Sequence, residues 1–379
     1  MARHVAIPDL FQPLVDEIRA AARSADVVIL SGGLGPTVDD LTREAAAKAA
    51  GKRLVRSTAA LRGIRAFFAK RRRPMAANNE RQADLPQGAV LVRNPVGTAP
   101  GFSMSVARAL VIALPGVPVE LRAMFDNGVA QLLKRCFPRR PTVAAQELET
   151  IGLAESEVDR RLVAIASPGG NPRLSLMVRD GIVTARFLAR GRTATEARKT
   201  LAAAVKRARG ALGRALFGRD GVDISDAVAA MLKDAGLTLS VAESCTGGLI
   251  GHLLTKVAGI SAVLLEDVVT YSNESKVKRL GVSRALISKH GAVSAEVCSA
   301  MAEGSARSSG ADAALSVTGI AGPSGGTDVK PVGLVYTAVH LRGRTTVSDL
   351  RLSGDRGAIQ ARAARLALEH LRQRLIAGS

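Results

Sequence analysis

Four short strand-like runs, each followed at once by a turn rich in glycine or proline, constrain most strongly how this chain can fold. The runs lie at residues 26–30, 109–114, 237–241 and 312–317. Segments with helical spacing of apolar residues separate them, as at 249–254. Strands that alternate with helices are typical of parallel sheets, which bind ligands at the carboxyl ends of their strands. The sequence therefore predicts an α/β protein, in which two α/β domains with mainly parallel sheets are joined by a small α+β domain.

Composition and the pattern of elements give the expected domain limits. The composition shifts at Pro138–Pro141, which reads as a linker, and the pattern of strands and helices places a second boundary near residue 217. We therefore predict domains at 1–140, 141–217 and 218–379. The middle domain contains no catalytic constellation and is expected to act as a spacer or in dimerisation.

Charge and cysteine content narrow the class of partner. The net charge is +20, but the arginines are dispersed and the chain has no Trp and 3% aromatic residues. Nucleic acid is therefore not an expected partner, because stacking platforms are scarce, and attraction of phosphorylated small molecules is favoured instead. Three scattered cysteines indicate a reducing, cytoplasmic location. No apolar run reaches the ~18 residues of a membrane span, so no membrane partner is expected.

Ser244 lies where the third run turns into a helix. The segment reads Ala242-Glu243-Ser244-Cys245-Thr246-Gly247-Gly248. Ser244 is either a nucleophile, with the N–H groups of the helix start facing a developing oxyanion, or simply a helix cap. Cys245 is a rival nucleophile, because thiols are intrinsically more nucleophilic.

Lys276 is the candidate base for Ser244. In a parallel sheet, neighbouring strand ends lie side by side, so Ser244 and the segment Tyr271–Lys276 can meet. Burial favours the neutral amine that a Ser–Lys pair requires. Tyr271 can relay or orient the proton, and the turn Thr318–Gly326 offers amides for an oxyanion or a phosphate. His252 and His290 lie in or near helices, which makes a histidine-based triad improbable.

A second glycine-rich turn follows the first run, at Ser31–Thr42. Its glycines allow backbone amides to approach a phosphate, and they are followed by a threonine and two carboxylates. The carboxylates either hold a divalent cation against the phosphate or cap the next helix. The candidate residues are Gly32, Gly33, Gly35, Thr37, Asp39 and Asp40.

Several motifs in order resemble one protein family. The segments at 242–248, 270–276, 290–294, 318–323 and 330–333 resemble the C-terminal domain of the CinA family (competence/damage-inducible protein). The segments at 31–42, 94–101 and 114–118 resemble the N-terminal domain of that family, which is related to molybdopterin-binding proteins. The resemblance covers nearly the whole chain.

The resemblance implies an activity for the C-terminal domain: hydrolysis of nicotinamide mononucleotide to nicotinate mononucleotide and ammonia, without a cofactor. The implied catalytic residues are Ser244, Lys276, Tyr271 and Thr318. Arg356 is expected to hold the substrate phosphate, a role that suits a guanidinium at a helix start. The other expected substrate-binding residues are Cys245, Thr246, Gly247, Gly248, Gly319 and Gly322.

The resemblance also implies alternatives. In some members the N-terminal domain is a metal-dependent ADP-ribose pyrophosphatase, for which Asp39 and Asp40 would bind the divalent cation. The family name suggests a non-enzymatic interaction protein linked to competence or DNA damage. The expected oligomeric state is a homodimer.

Two features depart from the family pattern. Members start with a further strand and helix that carry a G-T-E-L-L-like motif, which is absent here. Either the start codon is placed too late or the N-terminal activity is lost, since a sheet without its first strand exposes an edge. Ser324 stands where members often have an acidic residue; we expect a small effect, because the surrounding amides remain.

Overall fold

The computed structural model describes residues 3–138, 142–167 and 169–378. The chain forms two compact units, Met1–Arg140 and Pro141–Ser379. Most of the predicted linker, residues 139–141, lies outside the described residues. Within the described ranges, no helix combines the length and apolarity that crossing a bilayer requires.

The first unit contains one four-stranded sheet, a two-stranded ribbon and several helices. In chain order its elements are α1 (Phe11–Ser24), β1 (Val27–Ser31), α2 (Thr42–Ala49), β2 (Leu54–Arg56), α3 (Thr58–Lys70), β3 (Asp84–Pro86), β4 (Val90–Val92), β5 (Gly101–Val106), β6 (Ala109–Leu114), α4 (Pro118–Met124) and α5 (Ala130–Cys136). A 3₁₀ helix at Ala77–Ala83 precedes β3, and a π-helical turn at Phe125–Val129 joins α4 to α5.

The sheet of the first unit has the order β1-β6-β5-β4. Only β1 and β6 run parallel; the other two pairs are antiparallel. The Gly32 N–H donates to the Leu114 carbonyl at 2.9 Å, so the glycine-rich turn after β1 lies beside the end of β6. As an edge strand, β1 leaves Ile29 47% exposed.

The second unit begins with a small α+β part. Its elements are β7 (Thr142–Ile151), α6 (Glu155–Leu162), β8 (Arg173–Arg179), β9 (Ile182–Gly191), α7 (Ala194–Leu212) and β10 (Leu216–Arg219). The strands form an antiparallel sheet of order β10-β7-β9-β8. Apolar residues of α6 and α7 pack on this sheet around the buried Phe187.

The rest of the second unit is the α/β part that carries Ser244. Its elements are α8 (Ile224–Ala235), β11 (Leu239–Glu243), α9 (Leu249–Thr255), β12 (Leu264–Val269), α10 (Asn273–Leu280), α11 (Arg284–His290), α12 (Ala295–Ser309), β13 (Ala313–Gly319), β14 (Leu334–Leu341), β15 (Arg344–Arg351) and α13 (Arg356–Ala377).

In this sheet, of order β12-β11-β13-β14-β15, the interior strand β11 runs parallel to both of its neighbours. Alternation along β11 directs Val241 into a core with α8, α9 and α13, and Ala242 into a second core with α10 and α12. Both faces are covered, which explains why every residue of β11 is buried. The carboxyl ends of β11, β12 and β13 therefore share one edge.

The predicted α/β class is confirmed, and strand pairing refines it. The sheet of the first unit and the sheet that carries Ser244 are both mixed: β1–β6, β11–β12 and β11–β13 are parallel pairs, and the remaining pairs are antiparallel. The small α+β part shares one compact unit with the Ser244 part, and Ile151 and Ile182 belong to its main core. The predicted division into three domains stays a prediction.

Candidate active site

Ser244 directly follows β11, after which the chain turns through two glycines into α9. Gly247 and Gly248 have φ angles of 64° and 97°, a left-handed backbone that residues with a Cβ seldom adopt. The residue that caps α9 is Gly248. Ser244 is therefore not a helix cap, and that alternative is wrong.

Lys276 is the hydrogen-bond partner of Ser244, although 32 residues separate them. It lies one turn into α10 and is 1% exposed. Its Nζ lies 3.0 Å from Ser244 Oγ, 2.7 Å from the Thr270 carbonyl oxygen and 3.5 Å from the Tyr271 carbonyl oxygen. A neutral amine fits these three contacts, because its two N–H groups serve the carbonyls and its lone pair accepts the serine proton.

The surroundings of Lys276 make that neutral form more accessible than it is for an exposed lysine. Burial lowers the pKa of its amine to about 8, from an ordinary value of 10.5. The groups whose charge would raise this pKa are the thiols of Cys245 and Cys298. Burial raises the pKa of each thiol to about 12, so neither is charged near neutral pH. At pH 7, roughly a tenth of Lys276 is then unprotonated.

Cys245 is a poor rival nucleophile in this setting. Its side chain packs into the apolar core formed with α8, α9 and α13. Burial, together with the nearby charge of Glu243, raises the pKa of the thiol to about 12. The reactive thiolate is therefore scarce at neutral pH.

The amides of the α9 start are not free, contrary to the expectation that Gly247 and Gly248 would cradle an oxyanion. The Gly248 N–H donates to Glu243 Oε2 and the Gly251 N–H to Glu243 Oε1, each at 2.9 Å. The Gly247 N–H donates to the Ser244 carbonyl at 3.2 Å. A buried carboxylate thus already occupies the positive end of this helix.

Thr246 is the residue of this turn with an unused polar group. It is 4% exposed, and its hydroxyl is buried without a hydrogen-bond partner among the described residues. A buried hydroxyl without a partner is costly, and this one lies two residues after Ser244. It is the side chain of the turn best suited to meet a bound ligand.

The turn after β13 contributes differently from what the sequence indicated. The register Ala242↔Ser316 puts Thr318 at the same edge of the sheet as Ser244, but the Thr318 hydroxyl donates to the Ala292 carbonyl at 2.9 Å. A Cβ on Gly319 would lie 2.7 Å from Val335, so this glycine allows close packing of the strands. Thr318 and Gly319 therefore shape the turn.

Arg356, the first residue of α13, connects two of the strand ends. Its Nη2 donates to the Tyr271 hydroxyl at 2.8 Å and its Nη1 to the Gly322 carbonyl at 2.7 Å. Tyr271 is 61% exposed, and only its backbone carbonyl contacts Lys276. The predicted proton relay through the Tyr271 hydroxyl therefore has no hydrogen bond to support it.

Three residues of the site escaped the sequence analysis. Glu243 and Asp267 are carboxylates within strands that are otherwise mostly apolar, and this contrast was the signal available for them. Gln360 donates from Nε2 to the Cys245 carbonyl at 2.8 Å. It lies four residues after Arg356, on the same face of α13.

The glycine-rich turn of the first unit closes on itself. Asp40 Oδ2 accepts from the Thr37 N–H at 2.9 Å and from the Thr37 hydroxyl at 2.5 Å. Burial would raise the pKa of the Asp40 carboxyl, but the hydrogen bonds from Thr37 and Gly35 outweigh burial and lower it. The cap residue of α2 is Leu41, so neither carboxylate caps that helix. Asp39 is exposed.

Gly32 and Gly33 hold this turn against α2. The Thr42 hydroxyl donates to the Gly32 carbonyl at 2.8 Å, and the Thr42 N–H donates to the Gly33 carbonyl at 3.1 Å. A Cβ on Gly33 would meet Thr42 Oγ1 at 2.2 Å. The close approach of α2 therefore requires a glycine at this position.

Arg43, which the sequence analysis missed, lies beneath the same turn. It is fully buried and donates to the carbonyls of Leu34 and Gly35 at 2.6 and 3.0 Å. Its Nε and Nη2 have no hydrogen-bond partner within the described ranges, although Nη2 lies 4.0 Å from Glu44 Oε1. These buried donors fit an anion better than a cation.

The proposed cation ligands do not fit a metal site. Asp40 is bound to Thr37, and the part of the chain that the structure describes contains no group of three or more His, Cys, Asp or Glu side chains that could hold a metal ion. The ADP-ribose pyrophosphatase activity of this unit stays a prediction.

Fold and site together define an α/β protein with a buried serine–lysine pair at the end of an interior parallel strand. Three family models match the chain: the CinA C-terminal domain over 222–375, the damage-inducible protein CinA KH domain over 145–218, and a probable molybdopterin binding domain over 1–135.

Relatives match over almost the full length. A CinA-like protein of Kosmotoga olearia is 39% identical over 374 residues, covering 99% of this chain and 90% of that protein. A CinA-like protein of Geobacter sulfurreducens is 41% identical over 378 residues, covering 99% and 91%. The chain therefore belongs to the CinA family.

A solved structure is similar to part of the chain. It is the crystal structure of competence/damage inducible protein CihA from Agrobacterium tumefaciens, which is 41% identical to this chain with a TM-score of 0.39. The match covers 40% of this chain and 92% of the CihA chain.

Proposed function

We propose that the Ser244 part of the chain hydrolyses the carboxamide of nicotinamide mononucleotide, giving nicotinate mononucleotide and ammonia. The observation that carries the proposal is the 3.0 Å separation of Lys276 Nζ and Ser244 Oγ, with the amine buried and anchored on backbone carbonyls. A nucleophile held against an uncharged base is the arrangement that acyl transfer requires.

The reaction proceeds through an ester of Ser244. Neutral Lys276 accepts the hydroxyl proton as Ser244 Oγ attacks the carboxamide carbon, and the resulting ammonium returns a proton to the departing nitrogen, which leaves as ammonia. Water then attacks the ester, with Lys276 again accepting a proton, and releases the carboxylic acid and free Ser244. The same group thus acts as base and acid in turn.

The negative charge on the tetrahedral intermediate needs donors other than the glycine amides. In comparable strand-to-helix turns the N–H of the residue after the nucleophile serves this role, here that of Cys245. The unpartnered Thr246 hydroxyl is a second donor at the same turn. Each such donor is worth about 10²–10³-fold in rate.

The substrate class follows from the exposed end of the site. Arg356 presents a guanidinium at a helix start, beside the exposed ring of Tyr271. A guanidinium in this position suits a phosphate, and an aromatic ring next to it suits a pyridinium cation. The chain's net charge of +20 adds attraction for an anionic nucleotide.

Ammonia release from nicotinamide mononucleotide tests the proposal. Ser244→Ala is expected to lower kcat by at least about 10³-fold, because the ester cannot form. Cys245→Ala should keep most of the activity, and Lys278→Ala, an exposed lysine on the same helix, should keep all of it. Full activity in Ser244→Ala would refute the mechanism. An inactive wild-type chain would favour the interaction protein instead.

A further inference from the structure

Glu243 fixes the turn that presents Ser244. It is fully buried, precedes Ser244 directly and accepts from both the Gly248 and Gly251 amides at 2.9 Å. These bonds join the end of β11 to the first turn of α9, with Ser244 between them. Any movement of this carboxylate therefore changes where Ser244 Oγ lies.

Asp267 is packed behind Glu243. It lies on β12, opposite Val241 in the parallel register, and so on the same face of the sheet as Glu243. A Cβ on Gly251 would come within 1.9 Å of Asp267 Oδ2, so α9 can approach only because a glycine stands there. Asp267 Oδ1 is buried without a partner among the described residues.

Two carboxyl groups in contact cannot both ionise cheaply. Burial, followed by the charge of Glu243 and a hydrogen bond with it, raises the pKa of Asp267 to about 7, and Glu266 on the same strand adds to the effect. The facing side of α9 brings the amides of Gly248 and Gly251, and its titratable residues, His252 and Lys256, are exposed. In its neutral form, Asp267 donates a hydrogen bond to Glu243.

We propose that Asp267 is a positioning residue for the nucleophile: its protonated carboxyl holds Glu243 on the Gly248 and Gly251 amides, and its ionisation releases the turn that carries Ser244. The inference rests on the proposed role of Ser244 as the nucleophile. Activity then depends on two ionisations with opposite pH dependence, because Lys276 must lose a proton and Asp267 must keep one. The reactivity of Ser244 then has a maximum near neutral pH and falls on both sides.

Phosphonylation of Ser244 by a fluorophosphonate probe, followed by intact-protein mass from about pH 5.5 to 9.5, measures this reactivity directly. In the probe reaction Ser244 Oγ forms a bond to phosphorus and fluoride leaves. The wild-type rate should rise and then fall with pH. Asp267→Asn keeps a donor for Glu243 but cannot ionise, so its rate should retain the rise and lose the fall.

Two further variants separate positioning from folding. Asp267→Ala removes the donor at every pH and should slow labelling by about 10- to 100-fold, the scale of a misplaced nucleophile. Glu266→Gln removes the smallest contribution to the raised pKa of Asp267, so it should keep both the rise and the fall and move the fall slightly toward lower pH. A fall at alkaline pH that persists in Asp267→Asn would overturn the inference, as would wild-type reactivity in Asp267→Ala. If Asp267→Asn does not fold, a ¹³C-carboxyl NMR titration of Asp267 in the wild-type chain provides the test. A titration midpoint below about pH 5 would overturn the inference, because Asp267 would then already be ionised at neutral pH.

Turnover of nicotinamide mononucleotide, measured on the same samples, keeps the two proposals apart. A wild-type chain that fails to release ammonia but shows the labelling maximum, with the fall abolished in Asp267→Asn, would refute the proposed function and retain the positioning role. Ammonia release by the wild-type chain, together with a labelling profile that is unchanged in Asp267→Asn, would support the proposed function and refute the positioning role of Asp267.

Discussion

The amine of Lys276 donates to the backbone carbonyl of Thr270 at 2.7 Å, so its anchor is a neutral dipole. A carboxylate in that place would have kept the amine charged, because an opposite charge favours the ionised form. Carbonyl anchoring fixes the position of Nζ while burial lowers its pKa. The carbonyl oxygen therefore sets the position of Nζ, and burial sets the basicity of the amine.

Lys276→Arg is expected to abolish activity although it keeps a positive charge. A guanidinium does not lose its proton in this pH range, so Ser244 has no base, and kcat/KM for nicotinamide mononucleotide should fall by about 10³-fold or more. In the wild type, kcat/KM should rise with pH on the acid side of its maximum, because the neutral amine is the active form and the pKa of Lys276 is about 8. Initial rates of ammonia release, measured across pH for the wild type and the variant, test the loss of activity and the pH dependence. An active Lys276→Arg variant would contradict the mechanism.

Arg356→Ala should affect binding of the phosphate rather than the chemical step. Hydrogen bonds to a charged group are worth about 1.5–3 kcal/mol, so KM for nicotinamide mononucleotide should rise about 10- to 100-fold with little change in kcat. The riboside, which lacks the phosphate, should be hydrolysed equally by both proteins. Arg344→Ala, at the opposite end of the sheet, is the matched control. An equal loss for the riboside would show that Arg356 does not recognise phosphate.

Gly251→Ala should destabilise the second unit. The new Cβ would stand 1.9 Å from Asp267 Oδ2, so α9 or β12 must shift at a cost of about 1–3 kcal/mol. Gly210→Ala, within α7 of the same unit, meets no atom within 4 Å and should stabilise by about 0.5–1 kcal/mol. Denaturant unfolding of both variants measures the difference, and equal midpoints would contradict the packing described for Asp267.

Asp40→Ala should loosen the glycine-rich turn of the first unit. It removes the acceptor of the Thr37 N–H and hydroxyl and should cost about 1–2 kcal/mol at neutral pH. The pKa of Asp40 is lowered in the folded chain, so its contribution is complete above the ordinary value of 3.8 and disappears as pH falls through the lower folded value. Thermal unfolding from about pH 7 to 3 should show wild type and variant converging. Asp39→Ala, at an exposed position, should match the wild type throughout.

The outline of the site could be predicted from the sequence because it depends on topology. A strand ending at Ser244 and a second ending before Tyr271 must meet when they are parallel neighbours, whatever their side chains do. The short apolar runs and glycine turns were sufficient to predict this arrangement. The 3.0 Å contact between Lys276 and Ser244 agrees with that argument.

Hydrogen-bond partners could not be predicted in the same way. The Gly248 amide is bound to Glu243 and the Thr318 hydroxyl to the Ala292 carbonyl, and distances within one turn do not follow from residue type. Arg43 was missed for a related reason. Arginine is seldom buried, and only the carbonyls of the turn above it explain why this one is.

Helix α13 runs for 22 residues, about 33 Å at 1.5 Å per residue. Arg356 stands at its first turn, Gln360 holds the Cys245 carbonyl one turn later, Arg365 reaches Asp180 at 3.4 Å and Arg372 binds the Arg214 carbonyl of the small α+β part. A packed helix transmits displacement along its axis with little compression. One rigid element therefore carries both Arg356 and the contacts to the α+β part, so a substitution that removes the contacts of Arg365 or Arg372 is expected to change the position of the Arg356 guanidinium as well.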